Sequence, residues 1–477
     1  MNPLRSVKPL ALAVVLTLVA GAADASDLLE AYELARTSDP QLAAAEASQL
    51  ATGEGVTISR ASLLPRITGT AQLNDNEQDG TNVSTRPNAD GTVSFGESSG
   101  GSDTRSRSYS LGLQQSIYNH GNYTRLRASR ARADRASADL DAARQGLMQR
   151  VSEAYFGVLT AIDSVVFSRA ERKAVKRQLD QAEQRFEVGL TAITDVHEAR
   201  ARYDGARASA IAAENALDDA REALAEITGR WVEGVRGLGE SFQPALPEPA
   251  AAQDWVDSAL QHNPSLISRE LALVAAGHDV ATARSAHLPT LSASISRSDS
   301  ATWGNSFSNE FSFPATSSGN STAIGLTLTV PIFEGFGTQA GVRQAVYNRD
   351  AVEDQLEQER RSVVRQTRNA YRALEAGISE VAARQQALVS ARSALEATEA
   401  GFEVGTRTIV DVLLSQQQLF QAQRDYSQAR HNFLVNGLRL RSAAGTIAVG
   451  DLQAVNGFLV RDAEAALMES EQGAEQD

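Results

Sequence analysis

The chain of 477 residues carries a formal charge of −14, from 45 Lys and Arg against 59 Asp and Glu, and has no cysteine. That balance excludes a nucleic-acid partner, which demands a basic face, and the missing thiols exclude disulfides and a cysteine-attached lipid. Aromatic residues make up only 5%, which suits long, closely packed helices better than a large globular core.

The chain opens with Arg5 and Lys8, an apolar run over residues 10–22 and small residues around Ala23 and Ala25. This pattern predicts an export signal over residues 1–25. Beyond residue 26 no apolar run has the ~20 residues a membrane helix needs, so any spanning of a membrane falls to strands.

A helical stretch over residues 28–63 ends at Leu64-Pro65, because proline cannot continue a helix and pushes its predecessor toward extended geometry. Two strands come next, near 66–74 and 105–118. In the first, Ile67, Gly69, Ala71 and Leu73 alternate with polar residues; in the second, Tyr109, Leu111, Leu113 and Ile117 do so. Period two with one apolar and one small-polar face is what a barrel wall between lipid and water requires, the alternative being a half-buried sheet in a soluble domain. Residues 74–104, rich in Gly, Ser, Asn and Asp, are expected to be an exposed hairpin loop. A long helix over 123–186 carries Leu147, Val151, Val158, Val165, Val175, Leu179 and Phe186 on two heptad rows, a coiled-coil seam that Arg172 interrupts. The helix breaks at Gly189 and returns over 192–228.

The order then repeats. Ser38 to Leu42, "SDPQL", is echoed by "HNPSL" at His262 to Leu266; Leu64-Pro65 by Leu288-Pro289; Ala154-Tyr155 by Ala370-Tyr371. The second copy predicts a helix over 251–287, strands near 289–297 and 322–333 around a loop at 297–321, and a helix over 338–402. Its seam is Leu374, Val381, Leu388, Leu395 and Phe402, ending in a break at Gly405 and a return helix over 408–444. Two structural repeats, 26–228 and 253–445, are therefore joined by a Pro- and Gly-rich linker at 229–252. A segment over 446–477 ends in an acidic tail expected to be disordered. The fold class is α+β. Four strands are too few to close a barrel, for which about eight are needed, so a membrane role requires an oligomer.

At the two breaks "RFEVGLTAITDV" (from Arg185) and "GFEVGTRTIVDV" (from Gly401) share seven of twelve positions. Glycine takes the left-handed conformation that ends a helix. Thr191 or Thr408 can cap the next helix, and Asp195 and Asp411 meet the positive end of its dipole. Capping accounts for the acids but not for the duplicated Phe-Glu-Val-Gly.

These words, with "LLPR", "HLPT", "ITG" and "AAGTI", in order and in both repeats, resemble the TolC family of outer-membrane efflux proteins. The resemblance implies a homotrimer whose 12-stranded β-barrel, four strands per chain, lies in the outer membrane and continues as a helical coiled-coil tunnel in the periplasm of a Gram-negative cell. It implies a passive exit duct for drugs, toxic compounds or secreted proteins, coupled through a periplasmic adaptor to an inner-membrane pump of RND, ABC or MFS type. The adaptor would touch Val188, Gly189 and Leu190 at one tip and Val404, Gly405 and Thr406 at the other. Thr194, Asp195, Arg407 and Asp411 are the implied gate, with Arg407 set to pair with Asp195 or the Thr194 backbone. Two residues depart from the family pattern: Phe402 lacks the hydroxyl of the usual tyrosine latch, and Leu414 replaces a second constriction aspartate. These departures imply a weaker polar latch and weaker cation blockage.

No catalytic group, cofactor or metal is expected. The six histidines show no ligand spacing, and Gly335, Gly337 and Gly341 open a helix far too long for a nucleotide-binding unit. The alternative to a duct is a periplasmic or surface structural coiled-coil protein without channel activity.

Overall fold

The computed structural model describes residues 27–475 apart from 233, 240, 241, 309 and 310. The expected export signal lies outside these residues. The first half contains α1 (Leu28–Ser38), α2 (Pro40–Ala61), β1 (Arg66–Pro87), β2 (Val93–Tyr118), α3 (His120–Glu187), α4 (Ile193–Thr228) and β3 (Arg236–Leu238). The second contains α5 (Ala252–His262), α6 (Pro264–Ser285), β4 (Thr290–Ser308), β5 (Phe311–Pro314), β6 (Ser317–Thr329), α7 (Gly337–Glu403), α8 (Ile409–Ala443), α9 (Val449–Asn456), β7 (Leu459–Asp462) and α10 (Ala463–Glu475). The chain divides into a unit of residues 43–143 and 256–365 and a unit of residues 1–42, 144–255 and 366–477.

The first unit holds an antiparallel sheet in the order β1-β2-β4, with β5 and β6 both pairing β4. Its register sorts the side chains. One cross-strand row reads Ile67, Leu113, Ile295 and Ile324, while the next on the opposite face reads Thr68, Gly112, Ser296 and Ala323. Successive rows on that second face are Thr70, Ser110, Ser298, Ser321 and Gln72, Ser108, Ser300, Gly319. Over these rows, near the helical ends of the strands, one face is thus apolar and the other is small and polar.

The strands run well past the expected ends. Residues 74–104 are a continuous ladder from Asn74↔Ser106 to Pro87↔Val93, and β4 reaches Ser308 where a loop was expected from 297. Period-two alternation ends where both faces meet water, but a hairpin ladder needs only backbone pairing, reinforced here by Arg105 on Asp75 at 3.1 Å. The turn itself is only residues 88–92, where the Asn88 N–H donates to the Thr92 carbonyl at 2.7 Å.

In the same unit α2, α3 and α6 pack through small polar contacts. Ser59 and Ser129 hydroxyls lie 2.5 Å apart, Thr282 donates to Thr124 at 2.7 Å, and Ser268 donates to Asp139 at 2.5 Å.

The helical unit takes the remainder of α3 and α7, helices of 68 and 67 residues and therefore about 100 Å each. The expected single helices over 28–63 and 251–287 are each two. Pro40 and Pro264 remove the N–H that would continue α1 and α5. Asp39 and Asn263 then cap α2 and α6, with the Leu42 N–H on Asp39 at 2.9 Å and the Leu266 N–H on Asn263 at 3.2 Å. Arg150 donates to the buried Asp39 at 2.7 Å.

The linker is pinned by two tyrosines. Tyr155 accepts from the Arg236 N–H at 3.0 Å and donates to its carbonyl at 2.9 Å, while Tyr371 donates to the Ala250 carbonyl. Strand β3 pairs with β7. The acidic tail is a helix, α10, contrary to the disorder expected: Asp462 caps it through the Glu464 N–H at 3.0 Å, Leu467 is buried, and Glu464 takes an ion pair from Arg221 at 3.0 Å.

Helix α3 also corrects one expectation. It contains an 18-residue window apolar enough, by composition, to cross a membrane. Half of that window is buried inside the protein, consistent with Tyr155, Val158, Leu159, Ile162 and Val165 lining the helix seam. Long apolar stretches arise wherever a helix is packed on several sides.

Candidate constriction at the two helix breaks

The breaks are built alike. Gly189 and Gly405 both sit at φ 77°, a left-handed conformation in which a Cβ is strained. The Leu190 N–H reaches back to the Arg185 carbonyl at 2.8 Å and the Thr406 N–H to the Gly401 carbonyl at 2.8 Å, so each turn satisfies carbonyls left over at the helix end. The same word in the sequence has produced the same backbone.

The helix starts differ. Thr408 caps α8 in a reciprocal box: its hydroxyl accepts from the Asp411 N–H at 3.3 Å, and the Asp411 carboxylate accepts from the Thr408 N–H and hydroxyl, both at 3.0 Å. These bonds, the backbone one foremost, hold the Asp411 carboxyl below the usual carboxylate range, and the charge of Arg407 adds to the effect. Helix α4 instead has Ala192 at its cap position, with no side-chain oxygen to cap. Thr191 is displaced from the capping position and donates its hydroxyl to Asp195.

Behind both turns lies one apolar cluster of Val175, Leu179, Ala182, Val196, Ala199, Ile409 and Leu413, with Tyr203 and Phe402 packed against it. Phe402 is therefore half-buried, and the Arg185 guanidinium lies 5.0 Å from its ring centroid. That cation–π contact links the two breaks. The sequence offered only the substitution as a signal, because the pairing crosses 217 positions between Arg185 and Phe402. Arg202 donates to Gln417 at 3.2 Å, a second link from α4 to α8.

The two acids of the implied gate are each engaged by a neighbouring cap candidate, Asp411 by Thr408 and Asp195 by Thr191. Among the described residues Arg407 makes no ion pair with Asp195, so the expected latch is not formed within one chain. Thr194 and Arg407 are exposed, and Leu414 is 44% exposed. At the tips Val188 and Leu190 are each 69% exposed and Val404 76%, with Thr406 beside it also open. An apolar surface so exposed at a turn is suited to a partner.

The chain matches the family described as outer membrane efflux protein over residues 31–230 and again over 255–446. It belongs to that family. The two matched stretches are the two repeats seen in the sequence and the fold. The outer membrane protein TolC of Vibrio cholerae is 36% identical over 456 residues, covering 96% of this chain and 99% of the relative. The TolC of Escherichia coli is 35% identical over 96% of this chain and 90% of the relative. The alkaline protease secretion protein AprF of Pseudomonas aeruginosa is 30% identical over 90% of this chain and 86% of its own length. Among solved structures, the Campylobacter jejuni CmeC outer membrane channel superposes with a TM-score of 0.70 at 19% identity, covering 93% of this chain and 89% of that one. Membership places the chain in the outer membrane, and the family and its structural neighbours are channels rather than enzymes.

Proposed function

We propose that this efflux-family protein works as a homotrimer, in which β1, β2, β4 and the single edge that β5 and β6 share beside β4 supply four barrel positions per chain and three chains close the barrel, and that it serves as a passive exit duct fed by an inner-membrane pump through a periplasmic adaptor. The observation that carries this is the sheet. Strands β1 and β6 are unpaired edges on either side of a wall with one apolar and one small-polar face, and an open edge of that kind demands closure in a membrane. Seam residues on α7 support the same reading: Leu388 and Leu395 are only half-buried and Val389 is 53% exposed, leaving a face for another copy. Relatives named for TolC and for protease secretion favour a duct over a structural fibre.

In this assembly Asp411 forms an acidic ring, Leu414 an apolar collar beside it, and Arg407 engages Asp195 or Thr194 of a neighbouring copy. The turns at Val188, Gly189 and Leu190 and at Val404, Gly405 and Thr406 receive the adaptor. Conductance of the purified protein in a planar bilayer tests both levels. The wild type is expected to conduct as a trimer and to be blocked by a trivalent cation on the tip side, with Asp411→Ala raising the blocking concentration. Equal block of both proteins removes Asp411 from the constriction, and a monomer that passes no current removes the duct.

A further inference from the structure

The −14 chain is not acidic everywhere. Residues 56–66 and 119–133, which flank the first hairpin on its helical side, hold Arg60, Arg66, Arg125, Arg127, Arg130 and Arg132 and no acid. The corresponding stretches of the second repeat, 280–290 and 334–348, hold only Arg284 and Arg343, with Glu334 against them. Such a concentration of one sign, in one repeat and at one level of the fold, is unlike a dispersed solvated surface.

The packing of α3 decides where these side chains go. Ser129 and Asn122 are spent on α2, with the Asn122 amide on the Ser62 carbonyl at 3.0 Å. Thr124, Arg132 and Asp139 are spent on α6, with Arg132 on Asp279 at 2.6 Å. Tyr123, Arg127 and Arg130, spaced four and three residues apart, share the remaining face and are all exposed. Helix α2 runs antiparallel to α3 and meets it at Ser59 and Ser129, so the next residue on each, Arg60 and Arg130, turns to the same side. Among the described residues the guanidinium groups of Arg60, Arg127 and Arg130 make no hydrogen bond or ion pair, whereas Arg125 donates to Asn122 at 3.2 Å from another face.

We propose that Arg60, Arg127 and Arg130, with Tyr123 above them, bind the phosphate headgroup of an anionic phospholipid in the periplasm-facing leaflet of the outer membrane. The proposal rests on the duct reading, which sets the helices on the periplasmic side. Four features support it. The patch begins within one helical turn of the sheet's end, because β2 ends at Tyr118 and α3 begins at His120. Tyr123, 45% exposed in the first helical turn, is the amphipathic ring that an interface favours. Arg127 lies seven residues into α3, about 10 Å from its start, and helical side chains lean toward the N-terminus, here toward the membrane. Closing a trimer through β1 and β6 leaves this face open, since α3 already has α2 and α6 of its own chain on its flanks.

The test uses the full-length trimer reconstituted with phosphatidylcholine containing a minority of phosphatidylglycerol, then delipidated gently and weighed by native mass spectrometry. Wild type is expected to retain phosphatidylglycerol over phosphatidylcholine. Arg60→Gln, Arg127→Gln and Arg130→Gln are each expected to weaken retention about fivefold, and the triple variant roughly a hundredfold. Arg125→Gln on the other face is expected to change nothing, and Arg127→Lys to keep most of the preference. Unchanged retention in the triple variant overturns the site, as does complete displacement by millimolar inorganic phosphate, which would mark a free-anion site. Planar-bilayer conductance of the same samples separates the two failures: variants that conduct while retaining lipid like wild type defeat only the lipid site, whereas a wild type that neither trimerises nor conducts defeats the duct.

Discussion

At equivalent positions the two repeats answer the same structural need with different chemistry. Where the first has the buried Asp39 paired at 2.7 Å with a half-buried Arg150, the second has Asn263 and Gln366. Tyr155 holds both the N–H and the carbonyl of Arg236, while Tyr371 holds one carbonyl. Leu179 is 5% exposed in the first seam, and its counterpart Leu395 is only half-buried. Duplication has preserved the local geometry of each element and left its partners free to diverge. The first repeat supplies more of the chain's own core, and the second keeps more surface for neighbours.

Breaking the tyrosine contacts should give the largest difference. Tyr155→Phe removes two partly buried bonds to the Arg236 backbone and is expected to destabilise by about 2 kcal/mol, and Tyr371→Phe, which removes one bond, by about 1 kcal/mol. Burial raises the Tyr155 phenol pKa, so the hydroxyl stays protonated over any ordinary pH range. Thermal melts of the two variants, tracked by far-UV circular dichroism, measure the gap; equal losses would show that the second bond to Arg236 contributes nothing.

Next comes the charge pair. Asp39→Asn leaves Arg150 facing a neutral amide and is expected to cost about 2 kcal/mol. The double variant Asp39→Asn, Arg150→Gln copies the second repeat and should recover most of that loss. A double variant no better than the single one would mean that charge is not what the first repeat exploits.

The helix starts allow a finer comparison. Thr408→Ala removes a reciprocal cap and is expected to cost about 1 kcal/mol, and Thr191→Ala distinctly less because Ala192 occupies the cap position. The contribution of Asp411 has a definite pH sign. Its folded pKa is lowered, so the stabilisation is present above the unfolded value of about 3.9 and disappears as pH falls through the lower folded one. Melts of Asp411→Asn should therefore lose that acid-limb slope.

The smallest effect concerns His431, whose counterpart in the first repeat is Asn215. Its Nδ1 lies 2.9 Å from the Thr160 hydroxyl and its Nε2 3.9 Å from Asp163. Burial lowers its pKa; Asp163 acts in the opposite direction, and Arg430 adds to the lowering. Such a base stabilises the fold while neutral, so stability should decline as pH falls below about 6.5 toward the lowered folded value. Replacement by glutamine is expected to flatten that decline, and an unchanged profile would exclude His431 as its source.

Much of this molecule could be read from its sequence because the governing interactions are local. Heptads at Val151, Val158 and Val165 or at Leu374 and Val381 commit their segments to helices with one buried stripe, Leu-Pro pairs stop the helices before the strands, and glycines at 189 and 405 supply the only backbone that turns there without strain. The alternation around Ile67 and Leu113 sorted the faces of the sheet for the same reason. The features left open depend on partners far along the chain. The ladder through residues 74–104 exists because β2 lies beside it, with no periodicity needed. Arg185 finds Phe402 only after four helices converge on the cluster around Leu179 and Leu413. Whether Thr191 caps α4 as Thr408 caps α8 was decided by where each helix starts once it is packed. Short-range sterics and periodicity fix which elements form, whereas contacts between distant segments decide how far each runs and what each side chain meets.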